Sequence, residues 1–96
     1  MAYLLIDHQV ADFDKWKPVY DEHENARRKA GLKELFLLRG RDNPKQVLIL
    51  FEASDLAKTQ EFINSQDLRE RMQKAGVIGK PNFQILEKAA AFRKAA

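Results

Sequence analysis

Two apolar runs, LFLL at residues 35–38 and VLILF at residues 47–51, constrain the fold of this chain more than any other feature. They lie in two segments, residues 32–41 and 45–53, separated by a polar connection that holds Asp42, Asn43 and Pro44. Branched and aromatic residues on either side of such turn-formers predict a β-hairpin. Successive side chains of a strand point to opposite sides of its sheet, so a strand with one wet face alternates apolar with polar residues. These two strands are apolar on both sides. Whatever sheet contains them must be covered twice.

The remaining elements follow from caps and periodicity. Residues 3–10 read as a first strand, and Asp12 offers a side-chain oxygen to cap a helix that begins at Phe13. At 100° per residue, Phe13, Trp16, Val19, Tyr20, His23, Ala26, Arg27 and Ala30 fall in one sector about 140° wide, which faces the core. Pro18 has no amide hydrogen and is expected to kink this helix unless it sits near the first turn; Gly31 ends it. Ser54 and Asp55 cap a second helical region, Ser65 and Asp67 restart it, and Leu56, Phe62, Ile63, Leu68 and Met72 supply its buried side. Gly76 stops that helix. A GVIGKP loop leads into a last strand at residues 82–87, followed by an alanine-rich tail at residues 89–96.

The order βαββαβ, with right-handed crossovers, folds into a four-stranded antiparallel sheet with both helical segments on one face, the ferredoxin-like α+β arrangement. Residues 1–88 are expected to form this one domain. On the first strand Leu4, Ile6, His8 and Val10 are the more apolar set and belong on the helix side; Tyr3, Leu5, Asp7 and Gln9 belong on the other. The helices cover one face, and a second copy of the sheet about a two-fold axis is the simplest cover for the other. A homodimer joined through the sheet face is therefore expected.

With HQVADFDKWKPVYDEH at residues 8–23, the RDNP hairpin, ASDLAKTQEF and MQKAGVIGKP, nearly the whole chain resembles the dimeric α/β-barrel superfamily. Within it the chain is similar to a branch of small bacterial proteins related to antibiotic-biosynthesis-type monooxygenases and polyketide cyclases. The resemblance implies a ferredoxin-like homodimer with a small-molecule pocket between sheet and helices. It carries over no catalytic residue, because none of the monooxygenase, isomerase or cyclase motifs of the superfamily maps residue by residue onto these segments.

Composition removes several classes of function. The chain has no cysteine, which excludes disulfides, thiolate nucleophiles and thiolate metal sites, and together with a start at Met1 lacking a signal pattern leads us to expect a cytoplasmic protein. No apolar run approaches the ~20 residues that span a bilayer, so no membrane segment is expected. Net charge is +3, but basic and acidic residues alternate in DEHENARRK and DLRERMQK, a solvated-helix pattern rather than a phosphate-binding stripe. KQVLILFEA lacks the stacking aromatics of an RNA-recognition strand, and Gly76 with Gly79 is too sparse to cradle a phosphate, so neither a nucleic-acid nor a nucleotide partner is expected.

Chemistry concentrates in residues 8–23, which hold both histidines, the single tryptophan and one of the two tyrosines. The topology brings residues 10–12, 39–44 and 76–81 to one end, where they frame a pocket mouth. By strand and helix rises, His8 lies about 7 Å below that mouth and His23 about 16 Å below it. Two histidines so separated, without cysteine or a carboxylate partner, make a poor metal set, and no metal or other cofactor is expected. Haem, which needs a single axial histidine, stays as a minor alternative. As an enzyme, the chain would use His23 or His8 as general base and Tyr20 as hydroxyl donor, in cofactor-free monooxygenase- or cyclase-like chemistry. Trp16, Phe13, Phe51 and Phe83 would wall an apolar or aromatic ligand, and Arg39 or Arg41 would attract an acidic group. The alternative is a non-catalytic metabolite-binding or stress-associated interaction protein in which Trp16, Tyr20, Phe51 and Phe83 are core, His23 hydrogen-bonds locally and both arginines are solvated hairpin residues. A ligand-sized void with a histidine and the Tyr20 hydroxyl converging on it favours catalysis; a filled interface favours binding. The doubly apolar hairpin yields the first test: light scattering at micromolar concentration is expected to show about twice the 11.1 kDa chain mass, and a monomer removes the sheet-to-sheet pairing.

Overall fold

The computed structural model describes residues 1–89. Its elements run β1 (Ala2–Val10), α1 (Phe13–Glu22), α2 (Glu24–Lys29), β2 (Leu32–Arg39), β3 (Gln46–Ala53), α3 (Leu56–Ile63), α4 (Gln66–Ala75) and β4 (Val77–Glu87). The strands form one four-stranded sheet in the order β2-β3-β1-β4, with every neighbouring pair antiparallel. This is the expected ferredoxin-like arrangement. Among the described residues no helix is long and apolar enough to cross a membrane, and apart from Ala89 the alanine-rich tail lies outside them.

Local chemistry places the boundaries. Asp12 caps α1 by accepting from the Asp14 amide, Asp55 caps α3 through Lys58, and Ser65 caps α4 through Leu68. The helix expected to run on to Ala30 is instead two helices. It breaks at His23, about one turn beyond Pro18, where the His23 amide bonds back to the Tyr20 carbonyl at 3.1 Å. α4 ends on Gly76, which takes a left-handed φ of 81° that only glycine holds without strain. The following GVIGKP segment, expected as a loop, is the start of β4. Val77 and Ile78 pair with Val10 and Gln9, the register then shifts, and Asn82 resumes opposite Asp7. Gly79, with φ 69°, lies within this bulge.

The register divides the side chains as expected. Leu4 pairs with Phe51, Ile6 with Ile49 and His8 with Val47, and all six are buried beneath the helices with Val10, Trp16, Phe62 and Leu68. Leu56, expected on the buried side of α3, is 43% exposed; the inward positions of that helix are held by Thr59 and Phe62. A second register shift, between Glu34 and Phe36, accounts for part of the doubly apolar pattern of LFLL. Beyond it Leu37 stands opposite Ile49 on the helix side, whereas Phe36 and Leu38 stand opposite Leu50 and Leu48 on the open side. The open side carries Phe36, Leu38, Ile78 and Leu86, which are 59%, 52%, 49% and 39% exposed. We expect Phe51→Ala to cost about 3–5 kcal/mol in urea unfolding, and Leu56→Ala to stay within about 0.5 kcal/mol of the parent.

Candidate functional site

The three segments expected to frame the mouth meet, but none of their residues lines either of the two cavities described below. The Val10 amide donates to the Lys45 carbonyl at 2.8 Å and the Ala11 amide to the Gly76 carbonyl at 2.9 Å, tying the exit of β1 to the hairpin connection and to the end of α4. From there α1 runs over the sheet with its aromatic residues in a column. Phe13 and Trp16 have ring centroids 5.6 Å apart, and Trp16 stacks on Tyr20 at 4.7 Å with an interplanar angle of 18°. An arginine closes each end: Arg39 lies 4.2 Å over the Phe13 ring and Arg27 lies 3.7 Å over the Tyr20 ring.

Beneath this column, between sheet and helices, is a cavity of about 40 Å³ lined by His8, Trp16, Tyr20, His23, Arg27, Phe51, Phe62 and Met72, among others. A cavity that takes a benzene ring measures about 150 Å³, so the space as it stands holds water-sized molecules and admits an aromatic ring only if its wall shifts. A porphyrin is far larger, and the haem alternative finds no room here. A larger groove of about 590 Å³ shares Tyr20 and Arg27 with this cavity and is bounded further by Lys17, Asp21, Glu24, Arg28, Leu32, Lys33 and Glu34. Five expected site residues therefore meet at one cavity: His8, His23, Tyr20, Trp16 and Phe51. Phe13, Phe83, Arg39 and Arg41 do not line it. Phe13 and Phe83 pack against the core, Arg39 gives Nε and Nη2 to the Pro44 carbonyl at 3.2 and 3.1 Å, and Arg41 is exposed.

His8 is 4% exposed. Its Nδ1 lies 2.8 Å from the Val47 carbonyl oxygen. A carbonyl only accepts, so Nδ1 carries the hydrogen and Nε2 keeps its lone pair. Burial holds the imidazole below the ordinary value of 6.5, outweighing the Val47 hydrogen bond and the negative charge of Asp7, which act the other way. Nε2 has no hydrogen-bond partner among the described residues, and no buried side-chain polar atom there is left unpaired, so this nitrogen keeps access to the cavity. The edge of His8 meets Trp16 at 5.6 Å and 76°. His8 thus presents a neutral acceptor on an apolar wall.

His23 and Tyr20 are held differently. His23 Nε2 lies 2.7 Å from Asp67 Oδ2, linking the α1–α2 break to α4 rather than bonding locally, and its ring stacks on Phe62 at 5.7 Å. The Tyr20 hydroxyl donates to Glu34 Oε1 at 2.7 Å. Burial first, and then this bond, push the hydroxyl well above its ordinary range, so Tyr20 stays protonated. Its proton is directed to Glu34 on β2. Among the described residues no three histidines, aspartates or glutamates are placed to share a metal ion. Two features had no sequence signal beyond helical periodicity: the Asp67 partner of His23 and the burial of Arg27.

The chain matches no family model and no curated protein. It is similar in fold to solved structures, over nearly its full length. One from Bordetella bronchiseptica, assigned as an antibiotic biosynthesis monooxygenase, superposes with TM-score 0.74 at 13% identity, covering 93% of this chain and 97% of that one. SnoaB from Streptomyces nogalater, described as a cofactor-independent oxygenase, gives TM-score 0.74 at 10% identity, covering 97% of both chains. A protein from Nitrosomonas europaea, also assigned as an antibiotic biosynthesis monooxygenase, gives 0.62 at 12% identity, covering 94% and 100%. At these identities the likeness is one of fold, and at that level it agrees with the superfamily resemblance. The His8 geometry also sets a pH test. A folded-state value below the unfolded one means that the unfolded chain binds the proton first as pH falls. We expect stability to hold above pH 6.5 and to decline below it in denaturant titrations, with a shallower decline in His8→Gln.

Proposed function

We propose that the helix–sheet cavity is a small-molecule site at which His8 takes a proton from an apolar or aromatic substrate, in cofactor-free oxygenase-like chemistry. The observation that carries this reading is the unprotonated Nε2 of His8 open to an apolar cavity. A general base must be neutral at working pH and within reach of the proton it removes; burial secures the first condition and the β1–β3 register fixes its position. The accepted proton makes an imidazolium that Val47 already stabilises through Nδ1–H.

An oxygenase without a cofactor draws its electrons from the substrate. An activated methylene, once deprotonated, is electron-rich enough to reduce dioxygen, and the overall change CH2 + O2 → C=O + H2O balances without another reductant. Trp16 and Phe51 serve as the apolar wall, and His23, fixed by Asp67, holds the far side of the space. A substrate larger than the present cavity requires its wall to shift, and Met72, unbranched and partly buried, is the most adaptable part of that wall. We take the functional unit to be a cytoplasmic homodimer, the exposed Phe36, Leu38, Ile78 and Leu86 of the open face seating the second copy.

A second reading, a binding protein without turnover, is favoured by the small cavity and by the commitment of the Tyr20 hydroxyl to Glu34. Dioxygen uptake, measured with an oxygen electrode over a panel of 1,3-diketones and hydroxynaphthalenes, separates the two. For catalysis we expect uptake of one O2 per carbonyl formed, with kcat lowered about 10²–10⁴-fold in His8→Gln while binding persists. Binding without uptake selects the second reading, and uptake unaffected by His8→Gln removes His8 as the base.

A further inference from the structure

Arg27 is 8% exposed, yet none of the ion pairs among the described residues includes it. Three more accessible cations are paired: Lys17 with Asp21 at 2.7 Å, Arg28 with Glu24 at 2.9 Å and Arg71 with Glu22 at 3.7 Å. A buried charge without a counter-charge is costly, unlike an exposed one that water solvates, which makes Arg27 informative. What holds Arg27 comes from Tyr20 alone. Its Nη1 donates to the Tyr20 backbone carbonyl at 2.6 Å, and its Cζ lies over the Tyr20 ring, 3.7 Å from the centroid. The α1–α2 break makes this possible, because the Tyr20 carbonyl no longer continues a regular helix.

A guanidinium has five N–H donors, and this one uses a single donor on the protein. No buried side-chain nitrogen among the described residues is left unpaired, so the remaining donors keep access to the cavity and the groove that Arg27 lines. The carboxylates of the groove are already engaged: Asp21 with Lys17, Glu24 with Arg28, and Glu34 with the Tyr20 hydroxyl. Arg27 and Lys33 are left without an ion-pair partner among the described residues, and the junction of groove and cavity is net cationic.

We propose that Arg27 is the anion anchor of this site: the ligand is a small aromatic acid whose carboxylate or phenolate pairs with the buried guanidinium, with its ring directed towards Trp16. The inference rests on the cavity being the ligand site, and it moves the acid-binding role from Arg39 and Arg41 at the mouth to an arginine at the helix break. It also gives the proposed reaction a cation on the same cavity as His8, where the substrate anion forms. A planar guanidinium offers a carboxylate two parallel hydrogen bonds, which a lysine at the same place does not.

The test uses benzoate and its neutral analogue benzamide, read by the emission of Trp16, the only tryptophan. Benzoate is expected to bind about tenfold more tightly than benzamide. Arg27→Met, neutral and of similar length, is expected to bring the two affinities together, and Arg27→Lys to keep part of the difference. Thermal unfolding guards against a purely structural role: replacing an unpaired buried charge by an apolar side chain should leave the midpoint unchanged or higher, whereas loss of a structural arginine lowers it. Absence of benzoate binding, equal binding of the two probes, or a preference that survives in Arg27→Met overturns the anchor. If benzamide still binds and His8→Gln still abolishes oxygen uptake, the anchor alone has failed; if neither probe binds and no uptake occurs, the cavity reading fails with it.

Discussion

The packing of Trp16 between α1 and β1 is the contact on which the helix side of this protein depends. Trp16 is 2% exposed and touches three rings: His8 below it, Phe13 before it and Tyr20 after it. Stacked and edge-on aromatic pairs add to what burial alone contributes, and here they fix the roll of α1 about its axis. With that roll set, Tyr20 comes to lie under Arg27 and Phe13 under Arg39. The same contact holds the His8 ring from one edge while Val47 holds it from the other. A smaller side chain at residue 16 would release both the helix and the imidazole.

Each face of the sheet is set by one alternation along β1, and the two faces have different tasks. Leu4, Ile6, His8 and Val10 turn to the helices, and among them His8 is the sole polar side chain. A polar group there is tolerated because its Nδ1–H is satisfied by the neighbouring strand and its Nε2 faces the cavity. On the opposite side the exposed Phe36, Leu38, Ile78 and Leu86 make a surface more apolar than a solvated sheet needs. The bulge at residues 34–36 serves both sides. It brings Glu34 opposite Phe51, where it takes the Tyr20 hydroxyl, and leaves Phe36 on the open side.

Those parts of the fold that rest on short-range chemistry were legible in the chain. Asp12, Asp55 and Ser65 cap the helices they were expected to cap, and the β1 alternation assigns its faces correctly, because capping and period-two patterning are local. Pro18 signalled an interruption of the first helix, but neither its place at His23 nor the early start of β4 was legible. Both depend on contacts between distant residues: His23 with Asp67 across 44 positions, and Val77 and Ile78 with the end of β1. Similarly, the cavity residues were found by helical periodicity, which grouped Trp16, Tyr20, His23 and Arg27 on one face. Periodicity does not say which hydroxyl or guanidinium will find a partner. Tyr20 found Glu34 through a bulge that no composition rule places, and Arg27 reached the Tyr20 carbonyl only because the helix breaks.

The positions of base and cation also differ in kind. His8 stands on the central strand β1, paired with Val47 of β3 and facing the register shift of β4, and its ring is held by the Val47 carbonyl and by Trp16. Arg27 stands on the six-residue helix α2, held by one carbonyl and one ring. In the proposed site, a base held on a sheet strand and a less constrained cation would suit a cavity that enlarges around a ligand, the reacting atom aligned against the strand-held group and the anion followed by the movable one. The reverse arrangement, a base on a helix break, would lose proton-transfer geometry each time the helices shifted. His23, tied at that break to the exposed Asp67, is in that weaker position. Of the two histidines on the cavity, the geometry therefore favours His8 for proton transfer and leaves His23 to hold α4 against the first crossover.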